Sequence, residues 1–262
     1  MQLIDEKQKT VIFDSNVYIK LKDRSTIRQR IFSNEKRLNI QSFASPWVVW
    51  ELAQSRSDIV LDVLKEHCKG DDGQPRLIAD PIAQTYYSIY RKKSCKLDNL
   101  LVQTLQLLQL DAAQREKPNM KDALKKASDS FVNQFNAFFL SNNLLKNENI
   151  IKRKCAEDII DMCIEINSDE YEVSRIDKAQ VVEEFIQKNS APLEHYYQLL
   201  KRKASQENVN KEKLRHDLVD WAILFHASQS NVYVITSENN LLNLNLPNVL
   251  NLEKYMKCVL NI

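Results

Sequence analysis

The sequence predicts an α/β fold: a central parallel sheet built from the two ends of the chain, split by a long all-helical insertion. Three observations carry that expectation. Val11-Ile12-Phe13 is a short apolar run that stops at Asp14, as a strand buried on both faces does. The same texture returns at Asn231–Thr236 and Asn248–Leu252, each followed by a helical pattern, and such alternation implies parallel pairing through right-handed crossovers. Between roughly 55 and 205, apolar residues recur at spacings of three and four, the period of helices.

Each element has its own signal. A helix is expected from Val17. Residues 38–44 alternate and read as a second strand, and Ser45-Pro46 then supplies an N-cap and a proline suited to the first helical position. Glu51 falls about one and a half turns into that helix. Gly70-Asp71-Asp72-Gly73-Gln74-Pro75 is the clearest loop. Leu97, Leu100, Leu101, Leu105 and Leu108, then Phe131, Phe135, Phe138 and Phe139, then Ile159, Ile160, Met162, Cys163 and Ile166 mark helical stripes of the insertion. Pro118 and Pro192 mark further helix starts. A long helix from about Val209 to Ser228 carries Asp217 and Asp220, a short one is expected over Glu238–Leu242, and a terminal one from Glu253.

Composition narrows the chemistry. The 262 residues suffice for one large domain with an insertion. Only Gly70 and Gly73 occur, which excludes glycine-rich dinucleotide and P-loop phosphate sites. Cys68, Cys95, Cys155, Cys163 and Cys258 are scattered without a CxxC pair, which argues against a zinc cluster or a disulfide framework and suits a reducing cytoplasm. The polar run Asp5-Glu6-Lys7-Gln8-Lys9 leaves no visible signal peptide, and no apolar stretch approaches the roughly 20 residues of a membrane span. The net charge of +2 does not by itself indicate nucleic acid, so any basic surface must come from local clusters.

The informative pattern is four carboxylates. Asp14 ends the first strand, Glu51 sits in the helix after the second, Asp220 lies in Asp217-Leu218-Val219-Asp220-Trp221-Ala222-Ile223, and Glu238 follows Val232–Ser237. Carboxylates gathered at strand ends repel one another unless a hard divalent cation sits between them. Asp217 lies one helical turn before Asp220 on the same face. It is either a further ligand or an acid favoured by the start of the helix. His216 beside it is a weaker candidate, and His67, His195 and His226 show no metal-ligand spacing.

These segments, in this order, resemble the PIN domain family of metal-dependent nucleases. Asp14-Ser15-Asn16 is similar to that family's opening Asp-[Ser/Thr]-Asn, and Ser45-Pro46 through Glu51-Leu52 to its strand, proline and Glu-Leu helix. Asp220-Trp221-Ala222-Ile223 with Ala227 resembles its acidic helix, and Thr236-Ser237-Glu238 its Thr-x-Asp motif, with Glu in place of Asp. The resemblance covers about 10–55 and 209–258; the insertion, about 56–208, matches nothing recognisable. It implies a three-layer PIN-like domain spanning the chain and a divalent-metal-dependent endoribonuclease. Catalysis would fall to Asp14, Glu51, Asp220 and Glu238. Mg²⁺ or Mn²⁺ would be held by Asp14, Asp220 and Glu238, with Asp217 as an additional candidate. Ser15, Asn16, Thr236 and Ser237 would orient waters or carboxylates. Compact members are often the toxins of toxin–antitoxin pairs, so a neutralising protein partner is implied as well. A DNA nuclease on the same site, or a catalytically silent scaffold binding nucleic acid or protein, stays open.

RNA would need positive surroundings. Arg91-Lys92-Lys93, Lys152-Arg153-Lys154 and Lys201-Arg202-Lys203 are candidate phosphate contacts in the insertion, as are Lys96 and Lys125-Lys126. Tyr86, Tyr87, Tyr90, Tyr196 and Tyr197 lie near two of these clusters and could stack bases. The alternative for each cluster is a solvated helix face.

Overall fold

A computed structural model describes residues 8–54, 58–78, 98–115, 122, 147–166, 177–204 and 211–262. The chain divides into two compact units. The first comprises Met1–Ala79, Leu100–Lys121 and Gln229–Ile262, and the second Asp80–Asn99 and Asp122–Ser228. The sequence expectation drew a core of about 10–55 and 209–258. The observed first unit also takes in the helix and loop after residue 55, and the Asp217–Asp220 helix falls in the second unit.

The first unit is α/β. Its sheet has four strands, β1 (Thr10–Phe13), β2 (Gln41–Phe43), β3 (Val232–Ile235) and β4 (Val249–Leu250), in the order β2-β1-β3-β4 with every pairing parallel. Thr10, Val11, Ile12 and Phe13 are all buried, so β1 is covered on both faces. Ile12 clusters with Phe43, Val232 and Ile78 on one side. Phe13, its neighbour along the strand and therefore pointing the other way, packs on Tyr18, His67 and Tyr255. Beyond β2, Leu77 bridges Ala44 in parallel and extends the sheet edge.

The helices of this unit are α1 (Ser15–Leu21), α2 (Ser25–Arg37), α3 (Pro46–Gln54), α4 (Asp58–His67), α5 (Asp98–Gln109), α6 (Ala112–Arg115), α11 (Asn239–Leu242) and α12 (Leu252–Lys254), the last running into a π-helical segment, Tyr255–Leu260. The intervening α7 (Glu148–Ile166), α8 (Lys178–Lys188), α9 (Ser190–Ala204) and α10 (Lys211–His226) form the described part of the second unit. Ile160, Val182, Phe185, Leu193, Tyr196 and Phe225 share its core. Trp221 packs edge-on against Phe225 at 5.1 Å and tilted against Tyr196 at 5.3 Å.

Several boundaries differ from the sequence expectation for identifiable reasons. The second strand starts at Gln41 rather than 38, because α2 runs to Arg37 and the chain then turns through Asn39 at φ 53°. Asparagine tolerates that left-handed conformation better than most residues. The first helix starts at Ser15, directly after Asp14. Ser45 sits at the N-cap of α3, its carbonyl accepting from the Val49 N–H at 3.1 Å, but its buried hydroxyl makes no hydrogen bond. The last strand is cut to two residues because Asn251 caps α12, its side chain accepting from the Lys254 N–H at 2.8 Å. Both glycines stand in the 70–75 loop. Gly73 has φ 80°, and a Cβ on Gly70 would lie 2.8 Å from Asp72 Oδ1 and 3.1 Å from the Gln74 carbonyl.

A buried polar network ties the first unit together. Glu35 Oε2 accepts from Ser42 Oγ at 3.1 Å and from His67 Nε2 at 2.7 Å, and Glu35 Oε1 accepts from Tyr255 OH at 2.8 Å. Groups on α2, β2, α4 and the C-terminal segment thus meet on one carboxylate. Burial pushes the His67 imidazole down, but the adjacent Glu35 carboxylate and the Cys68 sulfur together outweigh it and lift it to about 10 from 6.5. The folded state therefore keeps a proton that the unfolded chain releases near pH 6.5. That stabilisation is complete below pH 6.5 and is lost as pH rises through about 10. Glu35→Gln leaves a buried imidazole without its counter-charge and should cost about 3–5 kcal/mol at pH 6. Urea unfolding should show this cost shrinking as pH rises toward 10; an equal cost throughout contradicts the ion-pair account.

Candidate functional site

The carboxyl ends of parallel strands lie on one edge of the sheet. In the order β2-β1-β3-β4 the chain leaves β1 toward one side and β3 toward the other, so the topological switch point falls between β1 and β3. Open α/β sheets bind their ligands at that crevice. Asp14 follows β1 and Thr236 follows β3, and the register that pairs Phe13 with Ile235 makes these two the next facing pair. The Asp14 N–H still donates to the Ile235 carbonyl at 2.9 Å, and the Thr236 N–H to the Leu250 carbonyl at 3.0 Å.

Asp14 occupies the N-cap of α1 but makes no side-chain cap hydrogen bond. Its Oδ2 accepts instead from Thr236 Oγ1 at 2.9 Å, and Ser15 Oγ stands 3.2 Å from Oδ1. Ser15 Oγ also lies 2.6 Å from Glu51 Oε2, bridging the two carboxylates. A hydroxyl carries one proton. It serves the shorter contact, to Glu51, and cannot also serve Asp14 at full strength. Thr236 is better placed: its Oγ1 accepts from the Glu238 N–H at 3.0 Å while donating to Asp14.

Glu238 repeats the pattern. It is the N-cap of α11, again without a side-chain cap bond, and Oε1 accepts from Asn16 Nδ2. Three of the four acids singled out in the sequence, Asp14, Glu51 and Glu238, therefore belong to one hydrogen-bonded network joined through Ser15, Asn16 and Thr236. Ser237 is half-buried and supplies none of these bonds. Beside Glu51, Trp50 Nε1 donates to Thr104 Oγ1 at 3.0 Å, fixing α3 against α5.

The electrostatics are those of an acid without a counter-ion. Asp14 is 1% exposed. Burial first, and the Glu51 charge second, push its carboxyl up to about 6 from 3.8, against the lowering effect of the Thr236 and Ser15 hydrogen bonds. Among the described residues no cation pairs with it. Nor do any three acidic, histidine or cysteine side chains among the described residues gather closely enough to enclose a metal. The Ser15 hydroxyl bridges Asp14 and Glu51, and the Asn16 amide donates to Glu238. The donor chemistry of these carboxylates is oxygen only, which suits Mg²⁺ or Mn²⁺ rather than a softer ion.

The remaining sequence candidates belong to the second unit or fall outside the described residues. Asp217 and Asp220 are on α10 of the second unit, Asp217 buried and Asp220 half-buried. Also in that unit, burial and then the Arg202 charge push His195 down to about 4, against the pull of Asp217. Each residue of Lys152-Arg153-Lys154 has an acidic partner in the same unit. Lys152 pairs with Glu148 and Glu194, Arg153 with Glu157 and Glu183, and Lys154 with Asp158 at 2.6 Å. Lys201 and Arg202 are exposed on α9. Arg91, Lys92, Lys93, Lys96, Lys125, Lys126, Tyr86, Tyr87, Tyr90 and the phenylalanine stripe lie outside the described residues, as does the side chain of Lys203. The buried Glu35–His67 network was not foreseen; its members are too dispersed in the chain for any spacing to show it.

No protein-family model matches this chain, and no curated protein and no solved structure is significantly similar to it. Among the described residues no helix is long and apolar enough to cross a membrane.

The raised Asp14 carboxyl has a consequence for stability. The folded state holds a proton between pH 3.8 and about 6 that the unfolded chain has released. Stability thus falls as pH rises through that window, and the deficit, up to about 3 kcal/mol, persists above it. Asp14→Asn should stabilise the metal-free protein at pH 7.5 by up to that amount and leave it little changed at pH 4. Urea unfolding in EDTA at the two pH values checks this; the same effect at both contradicts the burial-and-repulsion origin.

Proposed function

We propose that this chain is a divalent-metal-dependent nuclease of PIN type that hydrolyses phosphodiester bonds of RNA. The observation that carries the reading is the convergence of Asp14, Glu51 and Glu238 at the switch point of a parallel sheet. Both helix-capping acids there turn away from their own helices into a shared network. A buried carboxylate such as Asp14, which neither caps its helix nor meets a cation among the described residues, suits a site that takes one.

Asp14, Glu51 and Glu238 share a hydrogen-bonded network without enclosing a metal position among the described residues. By the sequence resemblance, Asp14, Asp220 and Glu238 would hold Mg²⁺ or Mn²⁺, with Glu51 in support. The bound ion would supply charge stabilisation at the phosphoryl oxygens and a lowered pKa for water. The chain's own residues do the positioning. Thr236 and Ser15 fix Asp14, Ser15 orients Glu51, and Asn16 holds Glu238. Water would add to phosphorus, its proton would pass to the Asp14–Glu51 pair, and that proton would return, through a solvent water, to the leaving sugar oxygen as its bond to phosphorus breaks. RNA as substrate, a toxin role and a neutralising partner rest on the resemblance alone.

A second reading, a binding scaffold without catalysis, is favoured by one observation: the acids are already engaged by side-chain donors, Ser15 standing between Asp14 and Glu51 and Asn16 donating to Glu238. The two readings part in one experiment. Labelled RNA and DNA of one sequence are incubated with the protein in Mg²⁺, Mn²⁺ or EDTA. The nuclease reading predicts cleavage of RNA in metal and none in EDTA. Asp14→Asn, Glu238→Gln and Asp220→Asn should lose on the order of a hundredfold or more in rate, and Ser15→Ala about ten- to a hundredfold. Cleavage of DNA alone would move the substrate class. Binding without cleavage in any metal favours the scaffold.

A further inference from the structure

We infer that His67 is a positioning residue for Asp14, acting through the two residues that bracket it, Phe13 and Tyr18. The His67 imidazole is buried between two rings. Phe32 stacks on it at 4.4 Å and 16°, and Phe13, the residue immediately before Asp14, lies at 4.3 Å. Its Nδ1 is 3.0 Å from Tyr18 OH, and its Nε2 is 2.7 Å from Glu35 Oε2. Tyr18 is the residue one helical turn after Asp14, and its N–H donates to the Asp14 carbonyl at 3.4 Å. Tyr18 OH also meets Cys68 Sγ at 3.4 Å, so α4 and its C-terminal end hold that phenol from two atoms.

The consequence is mechanical. The backbone around Asp14 turns from a strand on one side to a helix on the other: its N–H donates to the Ile235 carbonyl at 2.9 Å, and its carbonyl accepts from the Val17 N–H at 3.0 Å and the Tyr18 N–H at 3.4 Å, so the carboxylate is placed by how strand and helix are held together. One imidazole grips both sides of that turn. Both ring nitrogens are engaged, so the ring cannot rotate without breaking a buried hydrogen bond. Removing the grip would let Asp14 drift from Thr236 and Ser15, which hold it at 2.9 Å and 3.2 Å. A constellation functions only when held within about 0.5 Å of its working geometry. None of His67, Tyr18 or Phe13 belongs to the network of carboxylates, so they act through Asp14 and not on substrate.

The activity arm of the test rests on the nuclease reading; the spectroscopic arm does not. Tyr18→Phe removes one hydroxyl and keeps the ring, so the core stays filled. Ile31→Val, a buried truncation on the helix that carries Glu35 but outside the network, controls for general loosening. The reporter is the Glu238 amide, which donates to Thr236 Oγ1 and through it senses Asp14. The inference expects ¹H–¹⁵N spectra of Tyr18→Phe to show displaced Asn16 and Glu238 amides, with Ile31→Val leaving them in place. It expects RNA cleavage in Mn²⁺ by Tyr18→Phe to lose about tenfold in kcat at unchanged KM. Unmoved Asn16 and Glu238 amides in Tyr18→Phe overturn it, as does an equal displacement in Ile31→Val. If the wild type cleaves nothing, the nuclease reading fails and the amide shifts still decide the role of His67.

Discussion

A carboxylate at the end of a strand buried on both faces is the constraint around which the first unit is arranged. β1 has no exposed residue, and Asp14 inherits that burial at the strand's end, its N–H still bonded to the Ile235 carbonyl. Water cannot solvate it there, so the protein must, and neighbouring residues are placed accordingly. Thr236 comes from the adjacent parallel strand, Ser15 from the following helix, and Glu51 from the helix after β2. The parallel topology makes this possible, because only parallel strands bring successive carboxyl ends to one edge.

The solvation is incomplete in a telling way. Two hydroxyls face Asp14 and a second carboxylate stands beyond one of them, and among the described residues no positive charge faces Asp14. The contrast with Glu35 is instructive. Glu35 is equally buried but has an imidazole at 2.7 Å, with two more donors, and serves as a knot between helices and strand. One buried acid is neutralised within the fold and the other is not. That difference, more than the presence of acids at strand ends, sets Asp14 apart from Glu35 and underlies the proposed function.

Much of this was legible in the sequence where local rules dominate. The continuous apolar runs of β1 and β3 announced buried parallel strands, and Pro46 announced the start of α3. The acids at the strand ends stood out because several carboxylates brought to one sheet edge repel one another unless a cation sits between them. What the chain hid was set by backbone conformation or by distance. Leu38 and Ile40 alternate like a strand, yet Asn39 takes the left-handed turn that ends α2. Asn245 and Asn261 also take positive φ, so in a chain with two glycines asparagine does part of glycine's work. Ser45 looked like a capping side chain and is one only by position. Asp14 and Glu238 looked like caps by position, and their side chains go elsewhere. The Glu35–His67–Tyr255 contacts bridge up to 220 residues and left no local trace.

The account stands on the claim that Asp14 and Glu238, with Glu51 in support, make a place for a divalent cation, and direct titration of Mn²⁺ tests it most closely. Free Mn²⁺ followed by electron paramagnetic resonance at pH 7.5 should be taken up saturably by the wild-type protein and far more weakly by Glu51→Gln and Asp14→Asn. Equal, weak, non-saturating uptake by all three would contradict the claim and leave the carboxylate network as a structural device of the sheet edge.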